Sequence, residues 1–113
     1  MKAIKFAATS IVLAAIFFSS FPSFAKDDFV ENAKKVVADR MKDPESVKFR
    51  NLKTIKDDGL RLLCGDVNAK NSYGAYIGYA PFVSNPVGFV YIGRDSVSIQ
   101  VLHDRYGKQC NFK

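Results

Sequence analysis

The chain has 113 residues, with 17 Lys and Arg against 11 Asp and Glu, one histidine and two cysteines. That length suits one domain rather than two, and two cysteines with a lone His103 lack the ligand spacing of a metal site. The net charge of +6 is interspersed along the chain. It favours solubility and mild attraction to anionic partners, and it lacks the dense basic patch of a dedicated nucleic-acid binder.

Residues 1–25, MKAIKFAATSIVLAAIFFSSFPSFA, read as a secretory signal peptide. Lys2 and Lys5 form the positive start, residues 11–18 the apolar stretch, and Ser23-Phe24-Ala25 the small-x-small cleavage pattern. Ser19, Ser20 and Pro22 interrupt the apolar run before it reaches the roughly 20 residues of a membrane span. No cysteine stands at the cleavage point to carry a lipid. Processing leaves a single small domain, 26–113, and loss of Lys2 and Lys5 lowers the net charge from +6 to +4. The expected location is periplasmic or secreted. There Cys64 and Cys110 are expected to form a lasting disulfide. Closing a loop of about 46 residues contributes about 4 kcal/mol in the chain-entropy model. A redox-active pair would call for close spacing such as C-x-x-C, which is absent.

Residues 28–42 have the period of an amphipathic helix, with Phe29, Ala33, Val36, Val37 and Met41 along one stripe. Asp28 and Glu31 have the spacing of a capping box. Pro44 should stop the helix near Asp43 and open a short second turn. Beyond Phe49 the pattern changes to short β segments. Strands are expected over 49–56, 60–69, 75–83, 87–92 and 96–102. They are separated by Asp57-Asp58-Gly59, Asn71-Ser72-Tyr73-Gly74, Ser84-Asn85-Pro86 and Gly93-Arg94-Asp95. The tail from His103 has no clear pattern. Short connections imply antiparallel pairing, with one face needing cover. The fold class is therefore α+β: an N-terminal amphipathic helix packed on an antiparallel sheet of four or five strands, with one disulfide.

No catalytic constellation is recognisable. His103 has no assignable nucleophile or orienting partner beyond its chain neighbour Asp104. The acidic pairs Asp27-Asp28 and Asp57-Asp58 suit a helix start and a turn. There is no phosphate loop, nucleotide fingerprint or nucleophile elbow, and no cofactor is implied. The segment 64–82 is the densest in unusual residues. Asn68, Lys70, Asn71, Ser72, Tyr73, Tyr76 and Tyr79 surround its turn, and amides, an ammonium and tyrosines make a good recognition surface. The alternative is that they serve the fold alone, as strand aromatics and turn-forming asparagines.

Two motifs, K-D-P-E-S-V-K-F at 42–49 and C-G-D-V-N-A-K-N-S-Y-G-A-Y-I-G-Y at 64–79, resemble a family of small exported bacterial proteins of uncharacterised activity. The resemblance singles out Asp43, Pro44, Ser46, Phe49, Cys64, Gly65, Asn68, Lys70, Asn71 and Gly74. It implies an envelope or secreted protein with an N-terminal helix and a β-rich remainder, and it brings no catalytic residue. The expectation is a non-enzymatic binding protein, such as an inhibitor, immunity or envelope accessory protein. Its partner would be another envelope or secreted protein, with peptidoglycan a further option and nucleic acid disfavoured. The competing expectation is a structural or assembly component that contacts peptidoglycan or a secretion apparatus.

Overall fold

A computed structural model describes residues 28–112; the expected leader, 1–25, lies outside them. The elements run α1 (Phe29–Ala38), a 3₁₀ turn (Pro44–Ser46), β1 (Lys48–Asp57), β2 (Leu60–Asn68), β3 (Ala80–Ser84), β4 (Val90–Ile92) and α2 (Ser96–Cys110). The strands form one antiparallel meander in the order β1-β2-β3-β4. The α+β class, the N-terminal helix on an antiparallel sheet and the Cys64–Cys110 disulfide are all present.

The first turn follows the expected chemistry. Asp58 and Gly59 both have positive φ, 51° and 78°, the geometry of a two-residue hairpin whose twist matches its strands. Helix α1 is shorter than its 28–42 periodicity suggested. It ends at Ala38, after which Arg40 and Met41 donate to Val37 O and Ala38 O in tighter i→i+3 bonds. The expected capping box is not formed: the Asp28 side chain makes no cap bond, and its carbonyl accepts from Asn32 N instead.

The larger correction concerns 96–102, which is not a strand but the start of the 15-residue helix α2. Asp95 caps it, accepting from Ser98 N at 2.8 Å and from Ser98 Oγ at 2.9 Å. Asn111 closes it in the left-handed conformation, φ 59°. With a second helix available, both faces of the sheet are covered. Alternation along β2 and β3 separates two cores. Leu63, Val67 and Phe82 meet Ala33 and Val37 of α1. Leu62, Cys64 and Val83, with Ile55 of β1, meet Leu102 and Tyr106 of α2. The run Leu62-Leu63-Cys64 is fully apolar because β2 is central and buried on both sides.

Strand β1 carries a bulge. Arg50 pairs with Asp66 and Lys53 with Cys64, so Asn51 and Leu52 together face Gly65. Asn51 takes φ 56° to make the kink. A Cβ on Gly65 would lie 2.9 Å from Arg50 O, so only glycine allows this approach.

Candidate functional site

The residues singled out around 68–79 lie at the last residue of β2, Asn68, and on the loop that follows it to β3, at the end of the sheet where β1 begins. A bridge between Lys70 and Tyr76 narrows the loop at its base. Inside it, Asn71 Oδ1 accepts from Tyr73 N at 2.9 Å and Ala75 N at 3.2 Å, while Asn71 O accepts from Gly74 N. Gly74 has φ +80°, which closes the turn without strain. Asn68 Oδ1 accepts from Gly78 N at 3.0 Å. Both asparagines therefore spend their side chains on the loop's own backbone. Residues 75–79, expected as strand, belong to this loop, and β3 begins only at Ala80.

Ser46 joins the two sequence motifs into one unit. Its Oγ donates to Asp43 O at 2.7 Å and accepts from Lys70 N at 2.8 Å. Its carbonyl accepts from the Tyr76 hydroxyl at 2.8 Å. Phe49, three residues on, packs edge-on against Phe82 with centroids 5.6 Å apart. The proline turn is thereby pinned to the loop on one side and to the α1 core on the other.

What the loop presents outward is a set of cations on tyrosine rings. Lys48 Nζ lies 4.6 Å from the Tyr76 ring centre and Lys70 Nζ 5.6 Å from it. The Arg50 guanidinium lies 3.8 Å from the Tyr79 ring centre. Each such contact contributes about 0.5–1 kcal/mol at an exposed position, and it holds a flexible cation in place. Arg94 donates to Gly78 O at 2.6 Å. Asp66 is the carboxylate beside this group, accepting from Arg50 Nε at 3.3 Å and Asn51 Nδ2 at 2.9 Å. Tyr73 stands at the tip, 94% exposed, and Ser72 beside it is also exposed.

Lys48, Arg50 and Arg94 were not among the residues singled out from sequence. The K-x-R alternation at 48–50 would have placed the first two on one side of a strand. Nothing local signalled that Arg94, fifteen residues beyond Tyr79, returns to the same loop.

Elsewhere, His103 is exposed on α2, with Nδ1 3.7 Å from Asp104 Oδ1. Among the described residues three groups have displaced titrations. Hydrogen bonds from the Ser98 backbone and side chain hold Asp95 below the usual aspartate range. The bond to Asp57 raises Arg105, and burial raises the Tyr106 hydroxyl. Among the described residues no helix is long and apolar enough to cross a membrane, and no cluster of His, Cys, Asp or Glu is placed to hold a metal. No family model, curated protein or solved structure matches this chain.

Proposed function

We propose that this is a small exported, non-enzymatic binding protein that acts in the cell envelope or outside it, as an inhibitor, immunity or accessory protein. Its contact surface is the 70–79 loop together with the start of β1. The observation that carries the reading is the pairing of Lys48, Lys70 and Arg50 with the rings of Tyr76 and Tyr79 beside a bare Tyr73. Pre-positioned cations lose less freedom on binding, and an exposed tyrosine offers a large contact area with a polar tip. Because Asn68, Asn71 and Ser46 hold the loop internally, its surface side chains are free to serve recognition.

The test is co-purification of the tagged protein from an envelope extract of its host, with and without the double substitution Lys70→Ala, Tyr73→Ala. One stoichiometric protein should be recovered by the original chain and lost by the variant, while circular dichroism and the melting temperature stay unchanged. Recovery that survives the substitution places the contact elsewhere. Sedimentation of the protein with isolated sacculi in place of a protein partner would favour the structural role.

A further inference from the structure

We infer that the outer edge of β1 takes an extended acidic segment of a protein partner, which adds to the sheet as a further strand. This rests on the reading of the chain as a binding protein and names the chemistry of what it binds. β1 is the terminal strand of the sheet, and seven of its ten residues are exposed. The two-residue turn at Asp58-Gly59 makes Asp57 and Leu60 a hydrogen-bonded pair. Alternation then gives the same inward role to Ile55 and Lys53, opposite Leu62 and Cys64. The N–H and C=O groups of Thr54 and Lys56 consequently point away from β2. Among the described residues no strand pairs with them. The ladder is regular from Lys53 to Asp57 and is interrupted by the bulge at Asn51 and Leu52, which confines strand addition to this stretch.

Charge selects the occupant. Lys53 and Lys56 are exposed, and among the described residues no ion pair engages either. Lys48 and Arg50 continue the row of cations to the loop site. The strand's own carboxylate, Asp57, is neutralised by Arg105 at 3.0 Å. A second copy of this chain would bring the same lysines to the same edge and be repelled. Lys53 and Lys56 are three residues apart and lie on opposite faces of the edge, so a segment carrying carboxylates on both of its faces is attracted, and its backbone fills the open ladder. Nucleic acid would also be drawn to the cations, but its backbone cannot extend a peptide ladder.

The decisive measurement is amide hydrogen exchange on the oxidised protein with a nine-residue synthetic peptide in which pairs of glutamates alternate with pairs of threonines, so that both faces carry carboxylates. Thr54 and Lys56 should gain protection, whereas the same peptide with a central proline should give none. Thr54→Pro removes the outward donor at a site where an edge strand tolerates proline, and it should weaken the peptide at least about tenfold. The backbone-neutral pair Lys53→Glu, Lys56→Glu should do the same, so the answer does not depend on the proline variant folding. Unchanged exchange at Thr54 and Lys56, or equal binding of a single-stranded DNA oligonucleotide of matched charge, would overturn the proposal. The Lys70→Ala, Tyr73→Ala variant separates the two readings. It should keep peptide protection at the edge, so loss of natural-partner capture can be scored without reference to β1.

Discussion

On one face of the sheet, α1 lies over Leu63, Val67 and Phe82 through Ala33 and Val37; on the other, α2 lies over Leu62 and Val83 through Leu102 and Tyr106. The first contact is sealed by packing and by one buried bond, Ser84 Oγ donating to Ala33 O at 3.0 Å. The second is sealed by a covalent link from the middle of β2 to the last residue of α2, with Cα atoms 6.0 Å apart, and by the Asp95 cap. The difference follows from the helices themselves. Apolar and polar residues are well segregated around α1, whereas α2 leaves Val97 69% and Ile99 49% exposed. A helix with a weaker apolar stripe gains less from burial. The disulfide holds it where packing alone would hold it less firmly.

That contrast can be broken first at the disulfide. Replacing Cys64 and Cys110 by alanine should cost about 4 kcal/mol in urea unfolding, the value for a loop of this length. Amide exchange should then show α2 losing protection by a larger factor than α1. Tyr106, which burial now holds above the ordinary phenol value of 10.0, should titrate closer to it once α2 loosens. Equal loss on both helices would show that the faces form one cooperative unit.

A smaller effect is expected on the α1 side. Ser84→Ala removes a fully buried hydroxyl, and with it the bond to Ala33 O. The loss should be about 1 kcal/mol, read from the urea midpoint, with α2 exchange unaffected. The smallest effect belongs to Asp95. Its folded value is lowered from 3.8, so its contribution is complete above the ordinary aspartate value and disappears as pH falls through the lowered one. Asp95→Asn should therefore lower stability slightly at neutral pH and make no difference in acid, which flattens the acid limb of the stability curve. A variant that loses as much at pH 7 as at pH 3 would show that the carboxylate charge is not what matters there.

Much of this architecture was legible in short stretches of sequence. Asp58-Gly59 encodes its own turn because both positions accept positive φ, and Phe29, Ala33 and Val37 recur at helical spacing whatever lies beyond them. Residues 96–102 misled for an equally local reason. Val97, Ile99 and Val101 alternate with polar residues and are β-branched, which reads as strand. The competing signals, Asp95 with Ser98 at the cap and Leu102, Tyr106 and Cys110 at four-residue steps, cross the boundary that the strand reading imposed.

The site divides in the same way. The 70–79 turn and its tyrosines were visible as a cluster, but the inward use of Asn68 and Asn71 was not, since sequence does not show which way an amide turns. The cations came together from three separate places: Lys48 and Arg50 on the first strand, Lys70 on the loop, and Arg94 after the last strand.

Sequence alone determined the pieces whose energetics are local: the position of α1, the hairpin at Asp58-Gly59, the loop turn at Asn71 to Gly74, and the presence of a cysteine pair. Tertiary structure decided that 96–110 is a helix, that β1 bulges over Gly65, and that Ser46 bolts the proline turn to Lys70 and Tyr76. Each of these depends on groups far apart in the chain, whose meeting is set by two-sided burial of β2 and not by any neighbour's propensity.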